Sequence, residues 1–164
     1  EATDPAGDPG QPVRIHILGP LAVSRAATDV PVGRGARRAV LARLALSANA
    51  PVPMAELVAM LGEVRPPQSP ARAVQTCLSK LRAALRPAAV IGRTPGGYRL
   101  DLAGDQLDHA EFRRLVRRSR PAGPAEALEL LEAALALWHG DPLSDIPQLQ
   151  DHPWSSRSPT SGSR

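Results

Sequence analysis

The chain has 164 residues, 43% of them apolar and only 2% aromatic, so it can bury a core of small aliphatic side chains as one medium domain or two small ones. A single cysteine, Cys77, excludes an intrachain disulfide and a cysteine-rich zinc site, and no apolar run approaches the roughly 20 residues of a membrane-spanning helix. The net charge of +4 conceals an asymmetry: residues 13–100 carry thirteen Arg or Lys against Asp29, Glu56 and Glu63, whereas residues 101–164 hold seven Arg against ten acids.

A basic segment beside an acidic one points to a polyanionic partner, nucleic acid ahead of membrane, with solubility as the plainer explanation. The lone cysteine and an N-terminus without a signal-peptide pattern fit a reducing, cytoplasmic setting. Residues 1–12 show no apolar periodicity and read as a disordered lead-in. Val13, Ile15 and Ile17 then alternate with Arg14 and His16 before Gly19-Pro20, which predicts strand, turn and strand, with a short third strand at Val30 to Val32.

Val40, Leu41, Leu44 and Ala48 recur at helical spacing and predict an amphipathic helix over 37–47, stopped near Asn49. Pro53 opens a second helix through about Leu61, with Leu57, Val58 and Leu61 inward and Gly62 as its end. A third helix runs from Ser69 or Pro70 to Leu85, Ser69 being the N-cap. At 100° per residue, Val74, Leu78, Leu81 and Leu85 fall within about 60° and form a buried stripe. Arg72, Gln75, Thr76, Ser79, Arg82, Ala83 and Arg86 lie opposite. VIGRT and YRLDL, joined by Pro95-Gly96-Gly97, read as a β-hairpin carrying Arg93 and Arg99. Two helices, a longer third and a basic hairpin make the order of a winged helix-turn-helix, here over residues 13–102.

The character changes after residue 102. Asp108 and Glu111 suggest a capping-box start for a helix bearing Phe112, Leu115 and Val116 and stopped by Pro121. A second helix is expected from Ala125 to Trp138, the pair forming an αα-hairpin within a helical unit at 105–150. Its apolar positions Leu115, Leu128, Leu131, Leu135 and Trp138 exceed what two isolated helices bury. The hairpin should therefore pack on the winged helix or leave an apolar patch that favours self-association. Residues 151–164 are rich in Ser and Pro and read as a disordered tail.

A helix fits the major groove, where each base pair shows its own donor and acceptor pattern. Arg72, Gln75, Thr76 and Ser79, at i, i+3, i+4 and i+7, are the candidates for base edges. Lys80, Arg82 and Arg86, with Arg93 and Arg99 on the hairpin, are placed for phosphates, which position a protein without reading sequence. A plain solvated face is the competing explanation; the absence of any acid from the stripe and the basic hairpin beside it weigh against that. His16, His109, His139 and His152 share no ligand spacing, and no metal or other cofactor is implied. Cys77 borders the buried stripe as a small core residue, and Phe112 and Trp138 are hydrophobic anchors. No nucleophile elbow or phosphate loop accompanies the Ser, His and Asp residues, so catalysis has little support and an enzyme is a distant third reading.

Five phrases in order resemble one family, the Streptomyces antibiotic regulatory proteins: RIHILGPLAV, RRAVLARLAL, ARAVQTCLSKLRAAL, RTPGGYRLDL, and LDHAEFRRLV with ALELLEAALALWHGDPLSDI. The resemblance implies an α+β chain in which a response-regulator-type winged helix is followed by part of an all-α, tetratricopeptide-like bacterial transcriptional activation domain. It further implies binding to direct repeats in double-stranded DNA near promoters of secondary-metabolite gene clusters. The partner it implies is RNA polymerase holoenzyme; self-association on DNA is an expectation that rests on the surplus apolar surface of the helical hairpin. Leu61 stands where the family commonly has Trp, Cys77 where an aromatic or His is usual, and Gly35-Ala36 in place of a Pro-Lys pair. About 50 residues follow the hairpin, which implies an incomplete activation domain. The alternative reading is a winged helix used as a protein-interaction module with secondary DNA contact.

Overall fold

The computed structural model describes residues 12–62, 69–86 and 90–150; the expected tail, nearly all of the expected lead-in, and the loop at 63–68 lie outside the described residues. The chain opens with a three-stranded antiparallel sheet, β1 (Val13–His16), β2 (Ala22–Arg25) and β3 (Thr28–Asp29), in the order β1-β2-β3. The third strand thus precedes the expected Val30 to Val32. Ala26 and Ala27 both take positive φ, 51° and 65°, which makes a two-residue hairpin turn and pairs Arg25 with Thr28 at once. Val30 still donates to the Val23 carbonyl at 2.8 Å, but Val30 and Val32 then turn their side chains into the core.

Helix α1 (Ala36–Leu46) buries every residue from Ala39 to Ala45, so it is enclosed on nearly all sides rather than along one stripe. Its one buried cation, Arg43, is neutralised by Glu56 and donates to Ser47 Oγ at 2.8 Å. Asn49 follows at φ 67°, the left-handed geometry that ends a helix. Helix α2 is short, Met54–Ala59, with Pro53 as its N-cap. Leu57 is fully buried, Val58 and Leu61 are half-buried, and Met60 completes the inner face.

Helix α3 (Pro70–Leu85) follows the expectation closely. Ser69 Oγ accepts from Arg72 N at 3.2 Å, and Val74, Leu78, Leu81 and Leu85 are each 0% exposed. Each such side chain contributes about 1.5–3 kcal/mol of burial, which fixes the rotation of α3 about its own axis. Cys77 is half-buried beside them, and burial pushes its thiol pKa up. Strands β4 (Val90–Thr94) and β5 (Gly97–Asp101) form the hairpin. Its turn is Pro95-Gly96, because Gly97 already pairs with Thr94.

Beyond the hairpin, α4 (Asp108–Ser119) and α5 (Pro124–Leu135) form the αα-hairpin, with Phe112 and Trp138 edge to face at 5.4 Å. Asp108 is no capping residue: Leu107 holds the N-cap position and no side chain caps α4. The Asp108 carboxylate is 1% exposed and accepts from Ile17 N at 2.9 and 3.1 Å and from Leu18 N at 3.0 Å. His16 Nδ1 lies 3.9 Å from it, and burial holds that imidazole below its ordinary pKa against the pull of Asp108. Helix α5 stops three residues before Trp138, because His139 N donates to Leu18 O at 2.7 Å and draws the backbone toward the β1–β2 turn.

Residues 141–150 return to the winged helix. Leu143, Ile146 and Leu149 join the same hydrophobic core as Leu41 and Leu57. Asp145 accepts from Leu21 N at 2.8 Å and pairs with Arg38, and Gln148 Nε2 donates to the Met60 carbonyl at 3.1 Å. The expected surplus of apolar residues on the helical hairpin is thus only partly absorbed: Leu128, Leu131 and Leu135 remain 58%, 40% and 62% exposed.

Candidate nucleic-acid interface

Arg72, Gln75, Thr76, Ser79 and Lys80 stand exposed on α3, on the side away from its buried stripe; Arg86 is exposed too, but it is the C-cap residue, where the backbone has already turned extended, and so lies beyond the helical stripe expected for it. Among the described residues none of them makes an ion pair, and no acid lies on the helix. Thr76 Oγ1 donates to the Arg72 carbonyl at 3.0 Å, which orients the hydroxyl along the helix and leaves its oxygen free to accept.

Arg82 is placed differently. Its Nε donates to the Ile91 carbonyl at 2.9 Å, and its guanidinium lies 5.9 Å from the centre of the Tyr98 ring. It therefore ties α3 to the hairpin, with only part of its donor fork left for a phosphate. Arg82 lies beside the buried stripe, one turn after Leu78, and that flanking position is the sequence signal for such a tether.

The hairpin register separates its two arginines. Arg93 pairs with Tyr98 and shares a face with Ile91 and Leu100, whereas Arg99 pairs with Gly92 on the opposite face. Arg93 is exposed and lines a cleft of about 290 Å³ together with Gln75, Pro53, Met54 and Tyr98. Arg99 donates to the Asp101 carboxylate at 2.7 Å, so its charge is already partnered. The structure brings Arg93 to the α3 side and leaves Arg99 away from it.

Two positions that sequence reasoning undervalued hold this surface together. Asn49 does more than end α1: its Oδ1 accepts from Leu102 N at 2.9 Å and its Nδ2 donates to Leu102 O at 3.0 Å. Asn49 N also reaches the Leu100 carbonyl, and Val52 exchanges both backbone hydrogen bonds with Tyr98 at 2.7 and 3.0 Å. Residues 49–52 thereby run beside β5 as an additional edge, which joins the hairpin to the α1–α2 connection. Arg25 closes the other end, donating to the Arg86 carbonyl at 2.9 Å and holding the last turn of α3.

Residues 107–160 match the family described as bacterial transcriptional activator domain. The chain is 33% identical over 143 residues to the transcriptional regulator RedD of Streptomyces coelicolor, covering 81% of this chain and 41% of RedD. It is 36% identical over 146 residues to the transcriptional regulatory protein MoaR1 of Mycobacterium tuberculosis, covering 82% and 46%. Among solved structures it is similar to Mycobacterium tuberculosis EmbR in complex with a low-affinity phosphopeptide, with a TM-score of 0.75, 31% identity, and coverage of 83% of this chain and 38% of the other. The chain spans less than half the length of these relatives. With an α+β fold shared with EmbR, relatives named as transcriptional regulators, and a matching activator domain after the β-hairpin, the chain belongs to the Streptomyces antibiotic regulatory protein family of transcriptional regulators.

Proposed function

We propose that this chain is a sequence-specific DNA-binding regulator in which α3 enters the major groove and the Arg93 side of the β4–β5 hairpin lies against the adjoining backbone. The observation that carries this reading is the acid-free exposed stripe of α3, on a helix whose rotation is set by four fully buried side chains. Arg72, Gln75, Thr76 and Ser79 read base edges; Lys80, Arg86, Arg93 and the free part of the Arg82 fork serve phosphates, while Arg99, on the opposite hairpin face and paired with Asp101, has no part in the contact. Residues 13–102 are the DNA-binding unit, and residues 105–150 begin a tetratricopeptide-like activation domain through which RNA polymerase is engaged. Direct repeats near promoters of secondary-metabolite genes are the sites this family reading favours.

The first test is a salt titration on duplex DNA. Neutralising about four to eight phosphates releases condensed counterions, so the logarithm of affinity should fall with the logarithm of salt at a slope of about −4 to −7. A slope near zero would remove DNA as the partner and favour a protein-interaction module.

The second test separates reading from positioning. Arg72→Ala and Gln75→Ala should each cost about 1–3 kcal/mol at particular base positions and flatten preference there. Arg86→Ala should weaken all sequences alike. Uniform losses for all three across a library of sites would show that the roles are wrongly divided.

A further inference from the structure

An α-helix about 10–12 Å across fills a major groove about 12 Å wide and meets a phosphate backbone on each flank. The two flanks of α3 are built differently. At 100° per residue, Arg82 and Gln75 border its buried stripe on one side, where Arg82 reaches the Ile91 carbonyl and Gln75 shares a cleft with Arg93. Cys77 borders the stripe on the other side, with Lys80 next to it. Burial raises the Cys77 thiol pKa, and the two charges that pull against it are those of Arg37 and then Lys80, which puts Arg37 of the neighbouring α1 on this second flank. Gly33, at φ 90°, has the Arg37 side chain laid across it: a Cβ there would stand 2.6 Å from both Cδ and Nη1 of Arg37 and 2.8 Å from its Cζ. The space that a side chain at position 33 would fill is thus the seat of the guanidinium. Arg37 is half-buried and, among the described residues, makes no ion pair.

We infer that Arg37 is a phosphate contact that grips the DNA strand bordering α3 on the side away from the β4–β5 hairpin, and that Gly33 holds it for that role. The inference rests on the proposed docking of α3 in the major groove. A guanidinium suits the contact because its planar fork gives a phosphate two parallel hydrogen bonds and stays charged at every working pH. A cation already seated against a backbone wall also loses less conformational freedom on binding than one on an open surface. Lys80, exposed on the same flank, adds a point charge beside it. With Arg93 on the hairpin side, positive charge then faces both backbones of the groove. Helix α3 is centred between them, so that Arg72, Thr76 and Ser79, midway between the flanks, face the groove floor.

The test uses the full 164-residue chain and a duplex that it selects from random sequence. Arg37→Gln should weaken binding about three- to tenfold on selected and unrelated duplexes alike and make the salt slope shallower by about 1, with base preference unchanged. Ethylation of single phosphates locates the contact. The parent should show interference on both sides of the groove that α3 occupies, Arg37→Gln should lose it on one side, and Arg93→Gln on the other. Gly33→Ala keeps the charge but displaces it, so affinity should fall as it does for Arg37→Gln, with no further loss when the two are combined. Should Gly33→Ala unfold the chain, the ethylation pattern of Arg37→Gln decides alone. An Arg37→Gln variant with unchanged salt slope and unchanged interference overturns the inference and leaves the docking of α3 in place. Interference lost equally on both sides overturns it as well, since that is a general effect of charge. A parent chain that selects no duplex overturns the inference and the docking together.

Discussion

Replacing Asp108 with Ala is expected to destabilise the protein by about 4 kcal/mol, a large share of the total stability of a domain of this size. The carboxylate is buried and is the acceptor for two backbone N–H groups, those of Ile17 and Leu18, which lie 91 and 90 residues away in sequence. Removing it strands both donors in an apolar surround at about 1–3 kcal/mol each, and the vacated volume adds a further penalty. Asn in its place should recover only part of the loss, since its amide oxygen can accept but its NH2 group opposes a donor. Urea titration gives the magnitude, and amide exchange gives the location: Ile17 and Leu18 should lose protection in the Ala variant before the α3 amides do. Unchanged protection at those two amides would show that the carboxylate is not what satisfies them.

Gly97→Val is expected to cost about 4 kcal/mol and to lower the melting temperature by roughly 10 °C. Gly97 sits at φ 130°, a conformation side chains rarely adopt, and a Cβ there would stand 2.0 Å from the Val52 carbonyl oxygen. That oxygen accepts from Tyr98 N, so relief of the clash must break the pairing that holds the hairpin to residues 49–52. Duplex affinity should fall along with stability, because Arg93 would lose its place beside Gln75. Gly96→Ala is the control: its added Cβ would meet only the Pro51 side chain at 3.2 Å, and φ there needs no glycine, so a change within about 1 kcal/mol is expected. Equal losses at both positions would mean that the Val52–Tyr98 pairing is not the point of failure.

The winged helix was legible in the sequence because its determinants are local. The 3.6-residue recurrence of Val74, Leu78, Leu81 and Leu85, the Ser69-Pro70 start and the Pro-Gly turn each act over a few residues, and each lies where expected. What escaped were groups whose partners are remote. Asp108 sits where a capping acid would, and nothing nearby in sequence says that its acceptors face Ile17 and Leu18. Asp145 is likewise unremarkable until Leu21 and Arg38 stand beside it. The displaced third strand has a local cause of another kind: two consecutive alanines at positive φ, where Asn-Gly would have announced the turn. For the candidate interface, helix periodicity placed the α3 residues, but only the pairing register separates Arg93 from Arg99.

The anchoring of the helical hairpin has a geometric consequence for any DNA it accompanies. Asp108 at the start of α4, and Leu143, Ile146 and Leu149 just beyond α5, tie the open end of the hairpin to the body that carries α3. If α3 docks as proposed, the compass bearing of the hairpin around the duplex axis is dictated by the base pair at which it does so. B-DNA turns once in about 10–10.5 base pairs, so moving a site by five base pairs carries the hairpin to the far side of the double helix, while moving it by ten returns it to its original side. Under the proposed function, spacing between site and promoter is thereby a matter of angular phase as much as of distance.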